Sequence, residues 1–293
     1  MVETTVAQGV TAPPATRASA RSAGTFSFWV GVVWLTTIVT LSALAPVLPI
    51  PKYEDSDFGR SLAKPSWNLD YLLGADRFGH SVLSQILWGA RTSLTIGVSV
   101  VVVGMLVGGA AGVCAGYFRG LADRIFLIIT DVMLSFPGLI LLLAMVTVLE
   151  RNLRNIVVAL TVLSIPGLAR LARANTLVFA EREFVHAARA MGARNGRIIF
   201  REIVPNVALP LLSYLPLVVS GVIVAEGSLA FLGLSLPPPR PSWGKMIADG
   251  REQLNTSPHL TIIPGAAMFL TVLSLNWIGR RFRLLYDPRQ RMI

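Results

Sequence analysis

Long apolar stretches alternate with polar segments along the whole of this 293-residue chain. A helix that crosses a bilayer needs about 20 mostly apolar residues, and six stretches approach or exceed that length. The predicted spans cover about residues 28–50, 92–118, 125–149, 155–175, 207–236 and 260–279. The pattern predicts an all-α membrane protein in which residues 28–293 form one domain of six transmembrane helices and residues 1–27 form a flexible tail.

Arginine side chains are concentrated in alternate connecting segments. They occur in the N-terminal tail, in residues 119–124, at the end of the fourth span, in residues 181–205 and in the C-terminal tail. Residues 51–91, by contrast, carry five basic and five acidic side chains. Because membrane proteins retain basic loops on the cytoplasmic side, we expect both termini and the arginine-bearing segments to be cytoplasmic.

Glycine and proline mark special positions inside the spans. Four glycines share one face of the second span and predict close packing against another helix: Gly104, Gly108, Gly112 and Gly116. The sequence Phe136-Pro137-Gly138 predicts a kink in the third span. The pair Pro166-Gly167 predicts an interruption of the fourth span, with helix continuing beyond it to about Phe179.

Two acidic residues lie inside predicted spans, where an ionisable side chain indicates a functional site by default. Asp131, near the basic end of the third span, is interpreted either as a pathway residue or as part of a structural ion pair, with Arg124 as its partner. Glu226, in the second half of the fifth span, is interpreted either as a pathway residue or as a capping or pairing group at the outer surface.

Composition narrows the function classes. With 53% hydrophobic and 14% charged residues, the chain is typical of a polytopic helical membrane protein. The net charge of +10 is assigned to cytoplasmic loops, because no basic stripe interleaved with aromatic residues suggests nucleic acid. One cysteine allows no internal disulfide, and three scattered histidines suggest no metal site. No P-loop, Gly-x-Ser-x-Gly or His-Glu-x-x-His motif occurs, so the sequence predicts no catalytic residue, cofactor or ATP site in this chain.

The polar run of residues 181–205, called the Arg-rich loop below, is the strongest candidate for a functional site. Its first half holds good helix formers: Ala187, Ala188, Ala190 and Met191. Gly192 follows where a helix would end in a left-handed residue. A second short helix is predicted over about Arg197–Val204, ended by Pro205, which has no backbone N–H to donate. The alternative interpretation is a solvated basic loop without a partner.

The residue order in the Arg-rich loop resembles the EAA loop of ABC-importer permeases. The matching positions are Ala187, Ala188, Gly192, Ile203 and Pro205, and His186 stands where that family has glutamate. Residues 73–94, predicted to form an amphipathic helix leading into the second span, and residues 226–244 are similar to the dipeptide and oligopeptide permeases. The resemblance extends over about residues 73–293.

The resemblance implies the type I ABC importer permease fold in a bacterial inner membrane. The chain would pair with a second, similar permease around a pathway for dipeptides or oligopeptides, and an extracytoplasmic substrate-binding protein would dock on residues 51–91 and 237–259. Cytoplasmic ATPase subunits would hold the ATP and Mg²⁺. They would contact the Arg-rich loop at a set of matching positions: His186, Ala187, Ala188, Met191, Gly192, Ile203 and Pro205. A nickel chelate or haem is the alternative cargo within this family.

A stand-alone secondary transporter or channel is the main rival interpretation. Such proteins are commonly built from inverted repeats with charged or broken helices at the midplane. The chain has broken helices but no convincing inverted repeat. A membrane scaffold that only anchors cytoplasmic proteins is a second rival, and it leaves the proline breaks in the third and fifth spans without a role.

Overall fold

The structure is a computed structural model that describes the backbone of residues 15–286 and the side chains of residues 25–284. Residues 1–14 of the predicted tail and residues 287–293 of the C-terminal tail lie outside this part. The first helix, α1 (Ala15–Leu44), begins well before the predicted start of the first span at residue 28. Residues 15–27 are therefore helical in the structure.

Helices account for the rest of the regular structure in the described residues. In chain order the remaining α-helices are α2 (Val82–Phe118), α3 (Gly120–Ser135), α4 (Gly138–Val148), α5 (Leu153–Ala180), α6 (Glu183–Ala190), α7 (Asn195–Arg197), α8 (Val204–Phe231), α9 (Trp243–Gly250) and α10 (His259–Tyr286). Within the described part of the chain, three short 3-10 helices lie at Phe58–Arg60, Leu69–Tyr71 and Arg251–Gln253. Five helical segments in the described residues are long and apolar enough to cross a membrane, and α3 with α4 makes a sixth when the pair counts as one bent span. The predicted number of spans is confirmed in this sense.

The third span is broken where the sequence predicted a kink. Phe136 leaves the helical region, with φ −78° and ψ 133°, because a residue before proline is sterically excluded from it. The axes of α3 and α4 then differ by 86°. The break is therefore sharper than a kink, and it leaves α4 as a separate, strongly inclined helix.

The predicted interruption of the fourth span is wrong. Helix α5 runs without a break from Leu153 to Ala180, with Pro166 inside it. A proline within a helix removes one backbone hydrogen bond, and membrane helices tolerate this where a neighbouring helix supports the turn. Helix α2 packs closely against this turn, since a Cβ atom at Gly108 would lie 2.9 Å from the carbonyl oxygen of Ile165.

The second span begins earlier than predicted, and the segment before it is a turn. Helix α2 starts at Val82, so residues 73–81 do not belong to the expected amphipathic helix. The Oδ1 atom of Asp76 accepts the backbone N–H groups of Phe78 (2.8 Å) and His80 (2.9 Å). A side chain that accepts backbone donors in this way favours a turn over a helix, and Gly79 completes the turn with φ +80°.

The most extensive helix pair consists of α2 and α5, which meet along the predicted glycine face. A Cβ atom at Gly112 would lie 2.1 Å from the carbonyl oxygen of Ala169. At Gly116 it would lie 2.9 Å from the carbonyl oxygen of Arg173. The two backbones are therefore in direct contact, which only glycine permits at these positions, and the predicted packing role of the glycines is confirmed.

The connections gather at two ends of the helix bundle. At the end called the loop end, the segment joining α2 to α3 lies beside the Arg-rich loop, and Arg119 forms an ion pair with Glu181. At the opposite end, called the far end, Arg77 lies 3.4 Å from Glu252, and Arg151 donates to the carbonyl oxygen of Gly233 at 3.1 Å. The far end also holds α9, whose Trp243 is completely buried.

Replacing Gly112 with alanine should destabilise the protein, because the new methyl group would overlap the Ala169 carbonyl. We expect a loss of about 1–3 kcal/mol, the usual cost of overpacking a well-filled interior, measured as a lower melting temperature of the detergent-solubilised chain. Gly109→Ala is the matched control, since its nearest neighbour would be the sulfur of Met105 at 3.7 Å. Equal melting temperatures for the two variants would contradict the predicted backbone contact.

Candidate functional site

The Arg-rich loop begins with a short helix and a left-handed turn. Helix α6 covers Glu183–Ala190, and Gly192 follows with φ +80°. The N–H of Ala193 donates to the carbonyl oxygen of Ala188 at 3.0 Å, and the N–H of Gly192 donates to that of Arg189 at 3.0 Å. These bonds satisfy carbonyl groups at the helix end, as in the common glycine-terminated helix. The predicted helix and glycine turn are confirmed.

The second half of the loop differs from the prediction, because it is continuous with the fifth span. Residues 195–231 form one helical run, made of α7, a π-helical segment (Ile198–Ile203) and α8. Pro205 stands in the first turn of α8, where a missing N–H costs little. The N–H of Val204 accordingly reaches back five residues to the carbonyl oxygen of Ile199. Pro205 therefore widens the helix without ending it.

Burial divides the predicted contact residues into two groups. The side chains of Ala188 and Ile203 face the interior of the chain, 7% and 0% exposed, where they pack in one cluster with Val185 and Ile198. The predicted role of Ala188 and Ile203 at a partner contact stays a prediction, and in this chain both side chains pack inside. They hold α6 against the π-helical segment.

The other predicted residues of this set remain accessible. His186, Ala187, Gly192 and Pro205 are exposed, and Met191 is 81% exposed. His186, Ala187 and Met191 lie on the outward side of α6 and at its end, with Gly192 in the adjoining turn. This exposed side therefore carries the small side chain of Ala187 and, one turn further on, the flexible apolar side chain of Met191.

Polar contacts fasten the Arg-rich loop to the end of α2. Glu181 pairs with Arg119, and its other oxygen lies 3.8 Å from Nε2 of His186. The hydroxyl of Tyr117 donates to Oδ1 of Asn195 at 3.0 Å. Because α2 is itself in backbone contact with α5, these contacts connect the loop to both helices.

Asp131 forms an ion pair, but its partner is Arg170 of α5. The expected partner, Arg124, lies seven residues away on the same helix, which corresponds to about 10 Å along the axis. Asp123, one further acid on α3, forms a bidentate pair with Arg173, including a 2.6 Å bond from Nη2 to Oδ2. These two pairs join α3 to α5 near the loop end.

Sequence reasoning missed Asp123, Arg170 and Arg173 as a group. The available signal was their placement: two acids on one helix, and two arginines on the next long helix at the same end of the bundle. The sequence alone does not show that α3 and α5 cross, which brings these acids and arginines together.

Glu226 is buried at the far end, with only 2% of its surface exposed. Its Oε1 atom accepts a 2.7 Å hydrogen bond from the hydroxyl of Ser242, the N-cap residue of α9. That hydroxyl in turn accepts the N–H of Lys245 at 3.1 Å. Glu226 therefore anchors α9 to α8, which matches the pairing interpretation in its chemistry but places it inside the protein.

No metal centre accompanies these groups in the described part of the chain. No cluster of three or more histidine, cysteine, aspartate or glutamate side chains there is arranged to hold a metal ion. The candidate site is the exposed side of α6 with Gly192 at the loop end, supported by buried apolar residues and by ion pairs.

Comparison with known proteins connects this arrangement to one family. Residues 104–292 match the family described as "Binding-protein-dependent transport system inner membrane component". A glutathione transport system permease protein, GsiD of Pectobacterium atrosepticum, is 41% identical over 217 residues, which cover 74% of this chain and 72% of that protein. A dipeptide transport system permease protein, DppC of Alkalihalophilus pseudofirmus, is 34% identical over 262 residues, 89% of this chain and 86% of that protein.

A solved structure shares the fold. A chain of the MetNI methionine ABC transporter, in an inward-facing conformation, superimposes with a TM-score of 0.57 at 18% sequence identity. The match covers 70% of this chain and 97% of that chain. At this level of identity the likeness concerns the fold alone.

The two ion pairs between α3 and α5 should differ in their effect on stability. Asp123→Asn leaves Arg173 without its carboxylate at a site where the paired side chains are 17% and 22% exposed, and we expect a loss of about 1.5–3 kcal/mol. Asp131→Asn should cost less than about 1 kcal/mol, since that pair is 65% and 40% exposed. Thermal unfolding of the two purified variants measures the difference, and the reverse order would contradict it.

Proposed function

Because the chain belongs to the family of inner membrane components of binding-protein-dependent transport systems, we propose that it is the permease subunit of an ATP-driven importer of short peptides. The chain is a multi-pass protein of the bacterial inner membrane. The cargo assignment is supported by the relatives named as glutathione and dipeptide permeases, since both of those cargoes are short peptides.

The observation that carries the proposal is the form of the Arg-rich loop. Its outward surface, formed by His186, Ala187, Met191 and Gly192, is exposed, while its inward surface is fastened to the membrane helices. A loop that needed only to be soluble would not require an apolar interior of its own. We assign this surface to cytoplasmic ATPase subunits, which supply the ATP and Mg²⁺ chemistry that this chain does not perform.

The connection between α6 and α8 explains how a partner could act on the pathway. Helix α6 packs on the π-helical segment, which continues into α8 with no intervening turn. Closure of the ATPase subunits would therefore move α6 and the start of α8 as one body. Such a mechanism requires two states of the membrane helices, with nucleotide favouring one of them.

We assign the two ends of the bundle to opposite sides of the membrane. The loop end carries the arginine-rich segments and is assigned to the cytoplasm together with both termini. The far end is assigned to the extracytoplasmic side, where residues 51–91 and 237–259 would receive a substrate-binding protein. A second, similar permease would complete the pathway.

Replacing Ala187 with arginine should separate the chain from its ATPase. Ala187 is exposed on α6, so a long charged side chain disturbs the contact surface without entering the interior. We expect at least about a tenfold reduction in the ATPase recovered with the tagged chain from detergent-solubilised membranes, as for loss of a central interface residue.

Leu254→Arg is the control for this experiment, because it adds the same charge at an exposed residue of the far end. It should leave ATPase recovery unchanged. Normal recovery with Ala187→Arg would place the contact elsewhere on the chain. A wild-type chain that purifies without an ATPase, and that moves solute in liposomes without ATP, would favour a secondary transporter.

Gly192 should tolerate asparagine better than tryptophan. Its left-handed conformation is accessible to asparagine among non-glycine residues, whereas tryptophan adds both backbone strain and a bulky side chain at the contact surface. We expect Gly192→Trp to be inserted normally yet to lose ATP-dependent uptake and substrate-stimulated ATPase activity, with most activity kept in Gly192→Asn. Full uptake by the tryptophan variant would remove Gly192 from the contact.

A further inference from the structure

A cavity of about 370 Å³ opens at the far end, between α9 and the turn that precedes α2. This volume is within the range of small-molecule sites, about 300–1,000 Å³. Its apolar wall includes Tyr53, Phe78, Pro241 and Met246. The cavity lies at the opposite end of the bundle from the Arg-rich loop, so the contact surface assigned to the ATPase does not include it.

Two charged side chains of opposite sign face this cavity from the same helix. Lys245 and Asp249 are four residues apart on α9 and both line the space, which places them on one face of the helix. They do not form an ion pair with each other, and Asp249 accepts no hydrogen bond within the described residues. The Nζ atom of Lys245 makes one bond, at 3.3 Å to the carbonyl oxygen of Leu236, and so keeps donors for another partner.

The other charged groups around the cavity already have partners. Both oxygens of Asp76 are occupied, since Oδ2 accepts from Nδ1 of His80 (2.9 Å) and from Nε2 of Gln85 (2.6 Å). Arg77 faces Glu252 at 3.4 Å. Lys245 and Asp249 are therefore the charges left available to a ligand.

The helix that carries this acid and base is held rigidly. Ser242 and Trp243 at its start are fully buried, and Trp243 donates through Nε1 to the carbonyl oxygen of Ile86 at 3.1 Å. Desolvation by the surrounding protein, together with the negative charges of Asp76 and Glu252, raises the pKa of the Asp249 carboxyl. The positive charges of Lys245 and Arg77 oppose this shift. A bound cation would compensate for that desolvation.

We propose that this cavity is a binding site for a short zwitterionic peptide, whose ammonium group meets Asp249 and whose carboxylate meets Lys245. A ligand with both charges satisfies both side chains at once, whereas a single inserted side chain from a partner protein would satisfy only one. The aromatic and proline wall suits the apolar part of such a peptide. The inference rests on the proposed peptide-importer function, and it adds a substrate site at the extracytoplasmic mouth of this one subunit.

The test uses the complete transporter complex in lipid nanodiscs, without the substrate-binding protein. The probe is the dipeptide Ala-Phe carrying a fluorine on its ring, whose binding is followed by ¹⁹F NMR. We expect Asp249→Asn to weaken binding about tenfold, as for loss of one charge-assisted hydrogen bond. Glu150→Gln, which removes an exposed acid at the same end but away from the cavity, should leave the affinity unchanged.

Blocked peptides identify which charge each side chain recognises. N-acetyl-Ala-Phe lacks the ammonium group, so Asp249→Asn should not weaken its binding further. Ala-Phe amide lacks the carboxylate, so Lys245→Met should weaken binding of Ala-Phe about tenfold and that of the amide hardly at all. Each variant is expected to bind one blocked peptide with the affinity of the wild-type complex. A variant that binds neither peptide with that affinity has a folding defect.

Two results would overturn the inference. One is a wild-type complex that does not bind the probe, and the other is binding that neither substitution changes. ATP-dependent uptake of Ala-Phe, measured with the binding protein present, separates this failure from that of the proposed function. Normal uptake without binding at the cavity rejects only the site, whereas a chain recovered without any ATPase rejects the importer assignment itself.

Discussion

The close approach of the α2 and α5 backbones is the constraint on which the rest of the structure depends. In a bilayer, apolar side chains gain little by exchanging lipid for a neighbouring helix, so attraction must come from closely fitted surfaces. The glycine face of α2 supplies such a surface, and Gly112 allows its backbone to reach the Ala169 carbonyl. Because both helices connect the loop end to the far end, their contact fixes the two ends relative to each other. The Arg-rich loop and α9 are built on this pair.

The Arg-rich loop is packed against the rest of the protein on its inner side and is exposed on its outer side. Two neighbouring alanines provide these two properties. Ala188 packs inside the chain, while Ala187 next to it is exposed. Small side chains on both sides keep α6 close to the π-helical segment and leave its outer surface open to a neighbour. The widened helix at Ile198–Ile203 then passes directly into α8. A displacement applied to α6 is therefore not absorbed by a flexible joint.

Sequence reasoning reached the features that depend on local chemistry. The glycine repeat in α2, the break at Pro137 and the turn at Gly192 follow from steric limits that act within a few residues. It failed for the two prolines that remain within helices: Pro166 lies in a turn of α5 that packs against α2, and Pro205 follows a π-helical turn that accommodates its missing N–H. It also could not distinguish Ala187 from Ala188, since the difference lies in the apolar cluster behind α6. The partner of Asp131 was misassigned for a similar reason, because Arg170 approaches only through the crossing of α3 and α5.

The buried start of α9 has a mechanical consequence for the far end. Trp243 is hydrogen-bonded to α2 through the Ile86 carbonyl and the Ser93 hydroxyl, while Ser242 is hydrogen-bonded to Glu226 of α8. Helix α9 thus connects α2 to α8, and these two helices must move together at this end. The α3–α4 pair is attached to α5 by its two ion pairs near the loop end. Toward the far end, α4 makes no such hydrogen bond to another helix among the described residues, and it buries only Leu142 and Val146. Any widening of the far end therefore occurs between the connected helices α2, α8 and α9 on one side and α4 on the other.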